Sequence, residues 1–159
     1  MWGAAFFGWL CAVGVATLLI GIIAATGAAV GLTESTDAAG TVGIVGGVLL
    51  LVALVLAYYC GGYVAGRMAR FNGPRQGMAV WLIGLAVTIV LAVAGAVLGA
   101  EYNVLSSLQL PRIPVGEGSL TTGGLIALAA VLVGTLLAAI AGGKAGTHFH
   151  RKVDRVGLP

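Results

Sequence analysis

Apolar residues fall into four long runs along the chain, separated by shorter polar segments. The runs cover residues 2–32, 42–66, 77–100 and 120–143, and none contains Asp, Glu, Lys, Arg or His. A helix needs about 20 mostly apolar residues to span a membrane. Continuous runs favour helices, because a transmembrane barrel would alternate over stretches of about ten residues. The pattern predicts an all-α integral membrane protein with four transmembrane helices.

Composition supports this interpretation. The chain of 159 residues is 60% hydrophobic and 8% charged, with a mean hydropathy of +1.10, whereas soluble domains carry about 25% charged residues. A soluble globule is therefore excluded. The first run has an uncharged start and is about twice as long as the core of a signal peptide, so it is interpreted as a spanning helix.

The charged residues are divided unequally between the connecting segments. The first connection holds Glu34 and Asp37 without a base, and the outer loop 101–119 is mixed. The basic loop 67–76 and the tail 144–159 hold seven of the eight basic residues: Arg67, Arg70, Arg75, Lys144, Arg151, Lys152 and Arg155. Basic segments stay in the cytoplasm, which predicts that both termini lie there too.

These seven basic residues predict that the cytoplasmic side of the protein contacts negatively charged partners. Each attracts an anionic lipid headgroup by about 1 kcal/mol near a membrane surface. A docking surface for an acidic cytoplasmic partner is the alternative. The net charge of +3 conceals the unequal division, so it gives no reason to expect nucleic-acid binding.

The 27 glycines predict close helix packing, because small residues four positions apart let helix backbones approach in lipid. Ala and Gly at four-residue spacing also form a stripe along the second run, which comprises Ala57, Gly61, Ala65 and Ala69. Such faces serve contacts within the bundle or contacts to another copy or partner. The candidate helix-packing glycines are Gly43, Gly47, Gly62, Gly66, Gly95, Gly99, Gly134, Gly142 and Gly146.

The ends of the second and fourth runs resemble each other. Gly62, Ala65 and Gly66 match Gly142, Ala145 and Gly146, and basic residues follow in both runs. The match suggests two helical hairpins, about 1–71 and 77–155, arranged as a 2+2 parallel repeat. Each hairpin has two spans, so a pseudo-two-fold axis would run along the membrane normal.

No segment predicts catalysis, a cofactor or a metal. Gly61 to Gly66 is followed by Arg67 and Met68, which does not fit a phosphate-binding loop. His148 and His150 lie on different faces of a helix without further ligands. Cys11 and Cys60 are interpreted as small apolar residues. Ionisable residues in the spans would mark a coupled transporter, and the runs have none.

Two further expectations concern the connections. Gly73 and Pro74 predict a tight turn, with the next helix beginning near Gly77. The outer loop carries several apolar residues and two prolines, which predicts a short amphipathic segment at the interface.

Four segments are spread along the chain from its start to its end: "WGAAFFGWL", "GGYVAGRMARFNGPRQG", "EYNVL…PRIP" and "GGKAGTHFHRKVDR". On these segments the chain resembles a family of four-span membrane proteins, frequent in actinobacteria, with a GGYVAGRMARF motif. The resemblance implies a bacterial inner-membrane protein and supplies no activity, cofactor or catalytic residue. Relatives often carry a hydrophilic segment before the "WGA" motif, which implies that this member is short or lacks a cytoplasmic arm.

Taken together, the sequence predicts a non-enzymatic membrane protein that assembles through glycine-rich helix faces, as a homo-oligomer or an accessory subunit. The alternative is a small channel or passive transporter with a pathway between hairpins or subunits. A polar tunnel lined by Thr and Tyr would favour the channel. A glycine-packed interior with an exposed stripe of small residues would favour assembly.

Overall fold

The computed structural model describes residues 2–31, 39–69, 71–102 and 122–156. These residues form four helices, α1 (Trp2–Gly31), α2 (Ala39–Met68), α3 (Gly73–Tyr102) and α4 (Thr122–Val156). Each helix includes a stretch long and apolar enough to cross a membrane. The prediction of an all-α fold with four candidate spans is therefore confirmed.

The turn between α2 and α3 differs from the prediction. α2 continues to Met68 and α3 already begins at Gly73, so the expected basic loop 67–76 shortens to residues 69–72. Pro74 suits the first turn of a helix, because its fixed φ is helical and its missing N–H would have no partner there. The turn instead uses Asn72, whose φ of 62° lies in the left-handed region that Asn tolerates.

The basic tail is helical for most of its length. The apolar run predicts a span that ends at residue 143, but α4 continues to Val156. No proline interrupts the chain between residues 122 and 156, so the helix has no reason to stop at Lys144. Most of the predicted outer loop 101–119 lies outside the described residues.

The helices run alternately up and down. We call the end that carries Arg67, Arg75, Lys144 and His148 the basic end, and the opposite one the far end. α2 and α3 each contact the other three helices, whereas α1 and α4 do not touch within the described ranges. The cross-section is therefore a rhombus, with α2 and α3 across its short diagonal.

The core lies entirely towards the basic end. We call residues 2–12, 53–69, 71–84 and 135–148 the basic half, and residues 13–27, 45–52, 85–95 and 123–134 the far half. Every described residue that is buried belongs to the basic half. The buried apolar residues are Ala4, Ala5, Ala12, Ala53, Ala57, Ala65, Ala69, Val80, Ala138 and Ala139. With nine alanines and one valine, this core is made by close backbone approach.

Candidate functional site

The closest contact in the bundle joins α2 to α4 through four of the predicted glycines. A Cβ at Gly62 would overlap the carbonyl of Ala139, and one at Gly66 would overlap the carbonyl of Gly143. In the other direction, a Cβ at Gly142 or at Gly146 would meet the α2 backbone along Tyr59–Arg67. Only glycine fits at these four positions, because backbone atoms cannot move aside as a side chain can.

These contacts are reciprocal. Gly62 faces Ala139, while Gly142 faces Tyr59, and each pair of matching positions lies 80 residues apart. The same offset relates the contact of Gly66 with Gly143 to that of Gly146 with Tyr63. α2 and α4 thus pack as two equivalent parallel helices do. The equivalence stops there, because α2 contacts α3 whereas α1 and α4 are apart in the described structure.

α3 joins this contact through glycines that the sequence analysis did not select. A Cβ at Gly73 would lie 2.6 Å from Thr147 Oγ1, and one at Gly77 would overlap the carbonyl of Ala139. Gly143 faces back towards Gly73 and Gly77. Gly73 and Gly77 are four residues apart, so the spacing rule could have identified them.

α1 packs on α2 through a second small face. The position of a Cβ on Gly8 lies 2.5 Å from the Gly61 carbonyl oxygen and 2.8 Å from Ala65 Cβ. A Cβ on Gly61 would lie 2.7 Å from Ala12 Cβ. The predicted stripe of Ala57, Gly61, Ala65 and Ala69 is therefore the α1-facing side of α2, and all four residues are buried.

Other predicted helix-packing glycines have no such neighbour. A Cβ on Gly47 or Gly95 would meet nothing within 4 Å. Gly134 faces α2 loosely, with Val55 Cγ2 at 3.4 Å from its Cβ position. The side-chain surroundings of Gly43 and Gly99 lie outside the described residues. A Cβ would also meet nothing within 4 Å at five other far-half glycines and at Gly3 of the basic half. The five are Gly14, Gly21, Gly27, Gly46 and Gly123.

The polar groups of the interior are mostly paired. Trp81 Nε1 donates a hydrogen bond of 3.1 Å to Thr135 Oγ1, which links α3 to α4. Thr135 in turn donates to the carbonyl of Val131 at 2.6 Å. The other threonines with described side chains donate to carbonyls of their own helices: Thr17, Thr26, Thr88 and Thr147. Thr135 and Thr147 are the threonines of the basic half, and both hydroxyls donate to carbonyls of their own helix.

Tyr58 of α2 packs against α3 inside the basic half. Its hydroxyl oxygen lies where the Cβ of any other residue at position 84 would be, so only glycine fits beneath the ring as it lies. Trp9 Cδ1 lies 3.4 Å from the same Cβ position. Tyr58, Trp9 and Ile83 pack on the buried cluster of Ala5, Ala65 and Val80, so two aromatic rings border the alanine core.

The basic residues surround the basic end. Arg67, Arg75 and Lys144 are exposed, and His148 is exposed beside them. Arg151, Lys152 and Arg155 belong to the last turns of α4, although their side chains, like Arg70, lie outside the described part. Cys11 and Cys60 are free thiols in α1 and α2. Within the described ranges no group of three or more His, Cys, Asp or Glu could hold a metal ion.

No protein-family model, curated protein or solved structure matches the chain. The geometry of the site must therefore support any function by itself.

Proposed function

We propose that the protein is a non-enzymatic multi-pass membrane protein that assembles with another copy, or with a partner membrane protein, through the far half of its helices. The proposed location is a bacterial inner membrane, with the basic end in the cytoplasm. The division of the basic residues favours that orientation. The resemblance of the second and fourth runs, together with the reciprocal α2–α4 contact, favours an origin by duplication of a hairpin.

The observation that carries the proposal is the contrast between the glycines of the two halves. Every glycine from Gly61 to Gly84 and from Gly142 to Gly146 lies against another helix. In the far half Gly14, Gly21, Gly47 and Gly95 meet nothing within 4 Å. Glycine within a helix costs about 1 kcal/mol relative to alanine. Close helix contact is its usual use in a membrane, and the far half is free to make it.

The closed basic half supports assembly over a pathway through a single chain. Alanine, glycine and hydrogen-bonded threonine fill its interior, and the hydroxyl of Tyr58 lies against Gly84. An uncharged interior of this kind provides close packing and offers no row of ligands for an ion.

Measurement of the intact mass in mild detergent tests the proposal. We expect an oligomer or a complex with a co-purifying membrane protein. Gly14 and Gly21 are seven residues apart on one face of α1. A double variant with Leu at both positions should therefore lower the mass of the assembly without unfolding the basic half. A monodisperse monomer without any co-purifying protein would contradict assembly.

A further inference from the structure

The two cysteines of the chain point towards the same flank of the α1–α2 contact. Trp9 of α1 and Tyr58 of α2 both reach Gly84 of α3, where Trp9 Cδ1 lies 3.4 Å from the Cβ position and the Tyr58 hydroxyl meets it. Cys11 follows Trp9 by two residues, and Cys60 follows Tyr58 by two. Two residues turn a helix by about 200°. Both cysteines therefore point away from α3, on the outer side of the contact.

The cysteines also lie at the same level of the bundle. The Cβ position of Gly8 lies 2.5 Å from the Gly61 carbonyl oxygen. The Cβ position of Gly61 lies 2.5 Å from the Gly8 carbonyl oxygen and 2.7 Å from Ala12 Cβ. Gly61 is thus level with the middle of the turn from Gly8 to Ala12, near residue 10. Because α1 and α2 run in opposite directions, Cys60, one residue before Gly61, is level with Cys11.

The two helices are in backbone contact at this level. A Cβ on Gly61 would lie 3.3 Å from the backbone nitrogen of Ala12, so the axes are closer than the usual distance of about 8–10 Å. Side chains that leave two helices at one level and in one direction are separated by about the distance between the axes. A disulfide needs Cα atoms about 4.4–6.8 Å apart, which such a contact allows. Charges on the sulfur atoms of Cys11 and Cys60 would repel each other, as expected for neighbouring thiols.

The surroundings of the pair select its chemistry. Both thiols are free and half-buried, and both belong to runs without a charged residue. Two thiolates suit a soft cation such as Cu(I), but they keep a net negative charge around it, which is costly in an apolar medium. A disulfide has no charge. Because the outer flank faces lipid in the proposed membrane, an oxidant has to reach the pair through the bilayer, and quinones are lipid-soluble two-electron oxidants.

We propose that Cys11 and Cys60 are a site of oxidation, which a lipid-soluble quinone converts to an intramolecular disulfide between α1 and α2. Two S–H bonds break and one S–S bond forms, while the quinone takes up two electrons and two protons and becomes a hydroquinone. The disulfide fastens α1 to α2 within the basic half, whereas the proposed assembly uses the far half. The inference therefore goes beyond assembly and rests only on the membrane location proposed with it.

The test is to incubate the reduced full chain with decylubiquinone in vesicles of phosphatidylglycerol and phosphatidylethanolamine. Free thiols are then counted by N-ethylmaleimide labelling and intact mass. We expect both thiols to disappear together, the mass to fall by two hydrogen atoms and one hydroquinone to form per chain. Thiols that stay free, a chain that gains the mass of a quinone or a disulfide between two chains would overturn the proposal.

Two variants show whether the pair acts together. Cys60→Ala should keep its remaining thiol and form no hydroquinone, and loss of that thiol at the rate of the unaltered chain would overturn the proposal. A double variant, Cys11→Ala with Leu10→Cys, keeps two thiols but turns one by about 100° to a side where Leu10 is exposed. It should form the disulfide about tenfold more slowly or not at all, because Cβ vectors that point apart cannot be bridged without backbone movement. Equal rates would also overturn the proposal.

Copper phenanthroline separates the geometry from the oxidant, because it catalyses oxidation by air without a quinone. A disulfide with this reagent but not with decylubiquinone would show adjacent thiols only, which contradicts the proposal. The state of assembly is read from the native mass of the same samples. A monomer that forms the disulfide would refute the proposed function alone, and an assembly that does not form it would refute this inference alone.

Discussion

Both halves of the bundle contain glycine and alanine, but these residues have different surroundings in each half. In the basic half glycine and alanine bring backbones into contact, and the buried side chains are almost all alanine. In the far half glycine occurs as well, but no described residue is buried and large apolar side chains such as Leu18 and Leu91 are 70% and 65% exposed. A glycine therefore indicates packing only where a second helix is close enough to meet it.

The difference follows from where the helices are tied together. The connection between α2 and α3 is short, residues 69–72, and it lies at the basic end. Around it the glycines of α2, α3 and α4 converge at Gly66, Gly73 and Gly143. Close packing at one end anchors the bundle, while no described residue of the far half is buried.

The largest effect should come from a bulky side chain at the α2–α4 contact. Gly62→Leu places a side chain where the Ala139 carbonyl lies, and backbone cannot yield as a side chain does. We expect destabilisation beyond the usual range of about 1–3 kcal/mol for overpacking, seen as loss of the cooperative thermal transition in detergent.

Gly47→Leu is the matched control on the same helix, because a Cβ there meets nothing within 4 Å. It should keep the melting temperature of the basic half. Equal melting temperatures for both leucine variants would remove the distinction between the halves.

A smaller effect is expected from single methyl groups on α4. Gly142→Ala places a methyl against the carbonyl of Tyr59, so we expect a loss of about 1–3 kcal/mol. Gly134→Ala places one at an ordinary contact distance of 3.4 Å from Val55 Cγ2, and it should be neutral or gain up to about 1 kcal/mol of helix propensity.

Thermal or denaturant unfolding of the two alanine variants in one detergent decides the comparison. A loss at Gly134→Ala as large as the loss at Gly142→Ala would show that the far half is packed more closely than the structure has it.

The sequence could predict the four helices because each run has the length and apolar composition that a membrane span requires. Runs of residues without charge therefore map onto α1 to α4. Helix ends were harder to place. Gly73 and Pro74 are typical of a turn, yet Pro74 also suits the first turn of a helix, and only the left-handed Asn72 shows which role it has.

The site could be predicted in part. Spacing by four selects glycines on one face of a helix, and Gly62, Gly66, Gly142 and Gly146 do lie in the α2–α4 contact. Spacing carries no information on which helix is near that face, so Gly47 and Gly95 look the same in sequence but have no neighbour. Gly84 has no glycine or alanine four residues away, and the neighbour that requires glycine there is the hydroxyl of Tyr58.

A modest effect is expected from the hydrogen bond that links α3 to α4. Thr135→Val removes the acceptor of Trp81 Nε1 and keeps the shape of the side chain. Such interhelical bonds average about 0.6 kcal/mol and reach about 1.7 kcal/mol, so we expect a loss within that range. The control is Thr88→Val, because Thr88 bonds to the carbonyl of Gly84 in its own helix. Unfolding curves with the same loss for both would show that the link between helices contributes nothing.

The smallest effect distinguishes a far half that faces lipid from one that receives another helix. The methyl group that Gly21→Ala adds to α1 would have no neighbour within 4 Å. The monomer should therefore gain at most about 1 kcal/mol of stability from helix propensity. Gly8→Ala on the same helix should lose stability, since its methyl would lie 2.9 Å from Val80 Cγ2. If the far half only faces lipid, Gly21→Ala leaves the intact mass unchanged. If it receives another helix, as we propose, Gly21→Ala lowers the assembled fraction while it stabilises the monomer, because a methyl group there separates two backbones that the glycine lets touch.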